Sequence, residues 1–189
     1  ALSRRLRKTL GVSPQGQEKE IPMAFIRTML GDIAPEELGF TYSHEHIVCR
    51  PQHWVDRNAD DLLLDDPAKS QQEVALFHDA GGRSIVDATA VDYGRDPGAV
   101  RDISRATGVQ IVGTAGFNKG FLWDARMPGK ACTFEQWIES TSVDDLARFV
   151  VDEVEHGMNG TDVRGGQVKF GTGYNSITPL EIKTIRAVC

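Results

Sequence analysis

Two histidines separated by a single residue stand in the stretch TYSHEHIVC, residues 41–49. On a β-strand, positions i and i+2 point to the same face, so His44 and His46 would present their imidazoles side by side. Imidazole nitrogens are frequent ligands of divalent transition metals, zinc above all. We favour metal ligation over the alternative, a buried pair satisfied by hydrogen bonds to its neighbours. Glu45 would face the helix layer and is expected to be a structural group.

A lysine in the middle of an apolar run is the second candidate. Lys169 lies within QVKFGTG, residues 167–173, where an unpaired ammonium group would be costly to bury. Its side chain could extend along the strand so that the ammonium group reaches water. Alternatively, burial depresses its pKa and the neutral amine reacts with carbon dioxide. The resulting carbamate has two anionic oxygens that could bridge two metal ions, and the residues alone leave both alternatives open.

Two loops that follow strand-like runs carry polar side chains able to contact a substrate. They are GFNKG, residues 116–120, and GTGYNSITP, residues 171–179. In the first loop, Asn118 could bind a carbonyl oxygen and Lys119 an anionic group. Ordinary turn chemistry is the alternative for both loops.

Four other titratable residues give weaker signals. Asp87, on the second strand-like run, either lines the site or pairs with backbone groups. The remaining histidines are expected to be solvated or to cap helix ends; they are His53, His78 and His156.

Strands and helices must alternate along the chain to position these residues. Four runs have the composition and length of strands: residues 40–48, 83–91, 109–117 and 166–173. A helical pattern follows each run. Local cap signals mark three helix starts: Asp66-Pro67, Asp96-Pro97, and Thr178 with Glu181 three residues later.

Repeated strand–helix units predict an α/β fold built on parallel strands. Runs such as SIVDATAV and VQIVG are apolar on both faces, which is typical of parallel strands covered by helices. An open doubly wound sheet and a closed barrel both fit. No glycine-rich fingerprint follows the first run, which argues against a dinucleotide-binding fold. A complete barrel needs about 250 residues, so on the barrel hypothesis this chain of 189 residues is half a barrel.

Composition and charge narrow the range of partners. The net charge is -6 and the chain has no basic stripe, so nucleic acid is not an expected partner. No apolar run approaches the roughly 20 residues needed to cross a bilayer, so no membrane partner is expected. The 3 cysteines have no paired spacing, which indicates reduced thiols and a cytoplasmic location.

The amino-terminal residues differ in composition from the rest of the chain. The stretch ALSRRLRKTLGVSPQGQEKEIP begins basic and then turns polar, and Met23 stands just before the first patterned stretch. We therefore expect residues 1–22 to be a disordered amino-terminal extension and residues 23–189 to form the folded part.

Four longer stretches, taken together, resemble the phosphotriesterase family of the amidohydrolase superfamily. They are LGDIAPEELGFTYSHEHIVC, GGRSIVDATAVDYGRDPGAV, ATGVQIVGTAGFNKG and GGQVKFGTGYNSITPLEIKTIRA. They run in the family's order and cover nearly everything from Ile26 to Val188. The resemblance implies a (β/α)8 TIM barrel, with residues 23–189 as the amino-terminal half of a metal-dependent hydrolase, about the first four β/α units.

The resemblance also implies a metal centre at the carboxyl ends of the strands. It would hold two divalent ions, zinc in the first place, with manganese or cobalt as alternatives. His44 and His46 match the pair that binds the more buried ion, and Lys169 matches the carboxylated, catalytic lysine that bridges both ions. A bridging hydroxide attacks the ester centre in such enzymes. The residues expected to contact the substrate are Phe117, Asn118, Lys119, Tyr174 and Asn175.

Family members hydrolyse the ester bonds of lactones, some of them phosphorylated sugar lactones, or of phosphotriesters. A small-molecule ester or lactone is therefore the expected substrate, and the full-length protein is expected to be a homodimer. The two loops look more like those of lactonase-type relatives, and Lys119 would suit a phosphorylated substrate. The family's other metal ligands, two histidines from strands five and six and an aspartate from strand eight, have no counterpart in this chain. The alternative is a catalytically inactive half-barrel that binds metal weakly or acts only with a partner half.

A half-barrel would also expose surfaces that a complete barrel covers. Its inner face is expected to carry Phe40 and Val48 beside His44, His46 and Lys169. Two open strand edges would flank that face. We therefore expect residues 1–189 on their own to oligomerise or aggregate and to bind zinc poorly.

Overall fold

The structure, a computed structural model, describes residues 24–60 and 63–189, so the extension expected at residues 1–22 lies outside the described residues. Within them the strands are β1 (Ile26–Thr28), β2 (Gly31–Ile33), β3 (Thr41–Glu45), β4 (Ser84–Asp87), β5 (Gln110–Val112), β6 (Thr114–Gly116) and β7 (Gln167–Lys169). The α-helices are α1 (Gln52–Val55), α2 (Pro67–Asp79), α3 (Pro97–Thr107), α4 (Phe134–Ser140), α5 (Val143–Glu155) and α6 (Pro179–Val188). None of these described helices has the length and apolar character that crossing a bilayer requires.

The helix starts expected from cap signals are confirmed. The Asp66 carboxylate accepts hydrogen bonds from two backbone N–H groups in the first turn of α2, and the Asp96 carboxylate accepts one from Ala99 N in the first turn of α3. At α6, the Thr178 hydroxyl accepts from Glu181 N while the Glu181 carboxylate accepts from Thr178 N. These side chains satisfy N–H groups that the first helical turn leaves unpaired.

The strands pair in parallel, as predicted for an α/β fold. β3, β4 and β5 form one parallel sheet in that order, and β6 pairs in parallel with β7. The run predicted as one strand over 109–117 is divided at Gly113, where a Cβ atom would lie 2.8 Å from the side chains of Met29 and Met158. β1 and β2 form a separate antiparallel hairpin.

The first predicted strand, residues 40–48, differs from the observed one in length and in the direction of its side chains. β3 ends at Glu45 and contains a bulge, because Tyr42 is level with Ile85 while Glu45 is level with Asp87. The bulge breaks the alternation of faces along the strand. The Phe40 and Tyr42 rings lie 6.4 Å from the Phe77 ring of α2. The expectation that Phe40 shares the inner face with the histidines is therefore wrong.

Two apolar clusters fill the space between strands and helices. The first cluster packs α2 and α3 against β4 and β5, and the second packs α4, α5 and α6 around the loop after β6. A buried ion pair links the regions of the two clusters. Arg95, between β4 and α3, is paired with Glu153 of α5. Arg95 also donates to the backbone oxygen of Thr114, 2.5 Å away, and to the Asn159 side chain, 2.8 Å away.

One cysteine is buried in the loop after β3. Cys49 exchanges two backbone hydrogen bonds with Leu64, of 3.0 and 2.9 Å, and is 1% exposed. Burial raises the pKa of its thiol to about 11. Cys132 is partly exposed and Cys189 is exposed, and all three are free thiols.

Candidate metal centre

The two histidines lie at the carboxyl end of β3. Their ring centroids are 5.5 Å apart and the rings are nearly perpendicular. His46 follows the last residue of the strand, and its backbone N–H donates to the Glu45 carboxylate at 2.9 Å. Burial, together with the charges of Lys169 and His44, lowers the pKa of His46 to about 4. At neutral pH this imidazole is therefore neutral and carries a lone pair.

A hydrogen-bonded chain orients the His46 ring. Its Nδ1 lies 3.0 Å from the Thr89 hydroxyl, and that hydroxyl donates to Asp87. Because the hydroxyl proton points to the carboxylate, Thr89 accepts the Nδ1 proton of His46, which leaves Nε2 as the nitrogen able to bind a cation. Asp87 is 2% exposed, and burial raises its pKa to about 6 although both Thr89 groups bond to it.

Lys169 lies at the end of β7, beside the histidines. Its Nζ donates to the backbone oxygen of Ala88 at 2.7 Å. Burial lowers the pKa of Lys169, and the nearby carboxylates of Asp92 and Asp87 only partly oppose this. A cleft of about 370 Å³ is lined by both His44 and Lys169. The lysine is therefore directed towards the end of β4, where the His46 ring also lies.

The donor chemistry of these three residues fits a divalent metal such as zinc. Neutral imidazole nitrogens are zinc ligands, and a carbamate on Lys169 would add anionic oxygens, whereas an ammonium group would repel the ion. Within residues 24–60 and 63–189, no three His, Cys, Asp or Glu side chains are placed to hold a metal. The described part of the chain thus offers His44, His46 and Lys169, one donor fewer than a tetrahedral site needs.

Tyr93 is a neighbour of the histidines that sequence reasoning missed. It lies on the short 3-10 turn Val91–Tyr93 that follows β4. Its ring centroid is 4.7 Å from that of His46. The direction of a side chain in such a turn is not encoded by an alternating pattern, so no sequence signal pointed to this contact.

A buried carboxylate holds the loop after β6 in place. Asp92 accepts from the Asn118 backbone N–H, 2.9 Å from each carboxylate oxygen, and from the Trp123 indole at 2.5 Å. Burial raises the pKa of Asp92 to about 6. Asn118 is 7% exposed, and its side-chain oxygen accepts the Lys119 backbone N–H at 3.1 Å. Lys119 itself is exposed.

Glu181 joins the two loops that sequence reasoning singled out. Its Oε1 accepts from Gly120 N at 3.1 Å and from Gly173 N at 3.0 Å. The loops after β6 and β7 are therefore neighbours. In the second loop Tyr174 is 94% exposed, and Asn175 is exposed with a φ of 59°.

Phe117 does not lie in a substrate loop. It is fully buried, and its ring lies 6.0 Å from that of Trp137 and 6.1 Å from that of Phe149, in the second cluster. The preceding residue, Gly116, has a φ of 94° and redirects the chain. The expectation that Phe117 contacts substrate is thus corrected to a role in the core.

His53 is also placed differently from the expectation that it is solvated or caps a helix. It is 8% exposed, and its Nδ1 lies 2.6 Å from Asp124. Arg57 donates to the other oxygen of Asp124, also at 2.6 Å. The group links α1 to the loop after β6. His156 is exposed at the end of α5, and His78 lies in the last turn of α2.

Comparison with known proteins places this geometry in a family. The phosphotriesterase family model matches residues 24–189. A lactonase from Listeria monocytogenes has 63% sequence identity and a TM-score of 0.84, over 87% of this chain and 52% of that one. A phospho-furanose lactonase of Mycoplasmopsis agalactiae is 31% identical, over 85% of this chain and 46% of the relative. An N-acetyltaurine hydrolase of Tetraodon nigroviridis is 29% identical, over 86% of this chain and 51% of the relative.

The chain therefore spans about half the length of the relatives it matches. Its parallel strands with intervening helices correspond to the amino-terminal part of their TIM barrels, about the first four β/α units. This bears out the predicted fold as a partial barrel. The chain belongs to the phosphotriesterase family.

Proposed function

We propose that this chain supplies half of the active site of a divalent-metal-dependent hydrolase that opens lactones. The observation that carries the proposal is the position of a neutral His46 at the end of β3 and a half-buried Lys169 at the end of β7, beside His44. The ends of barrel strands are where catalytic groups of this fold class lie. The relatives described above are named as hydrolases, two of them as lactonases.

In this proposal His44, His46 and a carboxylated Lys169 hold the metal ions, with zinc favoured over manganese and cobalt. When bound, the ions would supply a nucleophilic hydroxide and polarise the ester oxygen. The Thr89 hydroxyl keeps the His46 proton on Nδ1, so that Nε2 would be the nitrogen available to an ion. The Ala88 carbonyl positions the Lys169 side chain.

The loops after β6 and β7 form the substrate side of the proposed site. Asn118, Lys119, Tyr174 and Asn175 are the residues we propose to contact the lactone. Lys119 is exposed, whereas the backbone on either side of it is held by Asp92 and Glu181. A fixed loop with an exposed cation suits a phosphorylated sugar lactone, the type of substrate named for one relative.

A catalytically inactive half-barrel is the second candidate. One observation favours it. Among the described residues, no third His, Cys, Asp or Glu side chain joins His44 and His46 in a group that could hold a metal ion. On this hypothesis the chain binds metal weakly or acts only with a partner half. The two candidates differ in whether Lys169 binds metal and supports hydrolysis once a complete barrel is present.

The test uses a polypeptide that joins this chain to the remaining β/α units of a barrel. There, Lys169→Ala should lose most of its bound zinc and its hydrolysis of phosphorylated sugar lactones, because the carbamate bridge cannot form. A short carboxylate added to the buffer should restore part of both. Zinc is measured by mass spectrometry and hydrolysis by acid release.

The matched control is Lys183→Ala, which removes a partly exposed lysine of α6 that donates to the Glu139 backbone oxygen. It should keep full metal content and activity. Unchanged zinc content in Lys169→Ala would show that the lysine is not a ligand. Zinc binding without turnover of any lactone or phosphotriester by the unaltered polypeptide would favour the inactive half-barrel.

A further inference from the structure

Glu181 has hydrogen-bonding partners that its place in α6 does not require. At the third position of the helix, its Oε2 accepts from Thr178 N at 2.8 Å, which completes the cap at the helix start. Its Oε1 accepts two further N–H groups, from Gly120 at 3.1 Å and from Gly173 at 3.0 Å. The residue is 2% exposed. One buried carboxylate therefore binds the helix start and both loops of the proposed substrate side.

The Glu181 carboxylate is held in its charged form. Burial acts to raise its pKa, but hydrogen bonds from Thr178, Gly120 and Gly173 hold that pKa below its ordinary value. Hydrogen bonds to an ionised acceptor are roughly twice as strong as those between neutral groups. A side chain without an acceptor at this position would leave the glycine N–H groups unpaired, which is costly away from water. The carboxylate thus opposes separation of the two loops.

The two loops also contact each other directly. The backbone at Gly171, in the loop after β7, comes so close to the loop after β6 that an added Cβ atom would lie 2.9 Å from the carbonyl carbon of Asn118 and 2.9 Å from Lys119 N. A residue without a side chain permits this approach. Contact at Gly171 therefore prevents the loops from moving closer, while Glu181 prevents them from moving apart.

Two residues that we propose to contact the substrate lie next to these anchored positions. Lys119 precedes Gly120 in the loop after β6, and Tyr174 follows Gly173 in the loop after β7. Each is one residue away from a backbone N–H that donates to Glu181. The backbone from which each of these side chains extends is therefore fixed by the same carboxylate.

We infer that Glu181 is a positioning residue for substrate binding, because it fixes the loop that carries Lys119 relative to the loop that carries Tyr174. The inference rests on the proposed function, which assigns both loops to the substrate. Glu181 acts through the backbone of the loops and not through contact with the lactone. A phosphorylated lactone that contacts both loops needs their separation to be constant, whereas a neutral lactone lacks the group that Lys119 binds.

Hydrogen exchange tests whether the carboxylate holds both loops. In the polypeptide that joins this chain to the remaining β/α units, Glu181→Ala should speed amide exchange in residues 117–122 and in residues 171–175 together. The increase should be about tenfold or more, because both glycine N–H groups lose their acceptor. Mass spectrometry of peptides from the two loops measures the rates.

The matched control is Thr178→Ala, which removes the hydroxyl that accepts from Glu181 N but leaves the carboxylate. Because it removes the other half of the same cap, it should lower the melting temperature of the polypeptide. Exchange in residues 117–122 and 171–175 should stay close to that of the unaltered polypeptide. The comparison separates the anchoring of the loops from the start of α6.

Turnover kinetics test the consequence for the substrate. Glu181→Ala should raise KM for a phosphorylated sugar lactone about tenfold and change kcat by less than about twofold, because binding through Lys119 weakens equally in the ground state and the transition state. KM for a neutral lactone should rise far less, so the preference for the phosphorylated substrate falls. Glu181→Gln keeps one acceptor oxygen and should show a smaller effect of the same kind. It replaces the alanine variant if that variant does not fold.

Three results would overturn the inference. Faster exchange in only one loop would mean that each loop is held separately. An equal rise in KM for both lactones, or a Thr178→Ala variant that reproduces the kinetic change, would indicate a general loss of stability at the start of α6. An unaltered polypeptide that turns over no lactone would instead refute the proposed function, and the exchange rates would then decide whether Glu181 couples the loops.

Discussion

At the scale of single residues, two buried carboxylates organise both parts of the candidate site: Asp87 at the end of β4 and Asp92 in the turn that follows it. Asp87 orients His46 through Thr89, and Asp92 fixes the backbone of Asn118. Burial raises the pKa of each to about 6. The sequence pointed to His44, His46 and Lys169, because a histidine pair and an isolated lysine are unusual in apolar strands. The role of Asp92 was not predictable, because one of its donors, Trp123, is distant in sequence.

Replacing Asp92 should alter how stability depends on pH. A carboxyl whose pKa is about 6 when folded and 3.8 when unfolded holds its proton more tightly in the folded state. Its contribution to stability therefore grows as pH falls from about 6 to 4 and is lost as pH rises through 6. When pH is lowered from 7 to 4, the unfolding free energy of the unaltered chain should rise by about 2 kcal/mol relative to that of Asp92→Asn. Urea unfolding at both pH values measures this, and equal changes in the two proteins would contradict it.

At the scale of elements, helix starts were predictable and strand details were not. The caps at Asp66, Asp96 and Thr178 involve only residues within three positions, so the sequence carries the whole signal. The bulge in β3 depends on its register with β4, and the burial of Phe117 depends on the turn at Gly116. Both are set by contacts between distant segments, which an alternating pattern does not encode.

Gly116 should tolerate a side chain far less well than another glycine with a similar backbone. A Cβ atom at Gly116 would lie 2.2 Å from the Lys169 backbone oxygen, whereas at Gly108 no atom lies within 4 Å. Both have positive φ, of 94° and 74°. Gly108→Ala should cost about 1 kcal/mol for backbone strain alone, and Gly116→Ala about 3 kcal/mol or more, because β6 and β7 must separate. Chemical denaturation compares them, and equal losses would show that the clash is relieved elsewhere.

At the scale of the whole molecule, two apolar clusters are held together by a polar link. Arg95 reaches from the loop after β4 to Glu153 of α5 and to the backbone of β6, all of it buried. The alternation of strand-like and helical runs predicted one α/β unit of parallel strands but did not reveal this division. It could not, because the ion pair joins residues 58 positions apart. The described chain corresponds to about half of its relatives' barrels, so this link lies inside one half.

Because Cys49 is buried, the rate at which its thiol is modified measures how often the surrounding segment opens. A thiol with a pKa of about 11 and 1% exposure reacts only while the segment around it is open. In the native chain, a thiol reagent should modify Cys132 and Cys189 quickly and Cys49 at least a hundredfold more slowly. Mass spectrometry of timed samples resolves the three sites, and the slow rate reports how often the contact between Cys49 and Leu64 breaks. Equal rates at all three cysteines would mean that this segment is open most of the time.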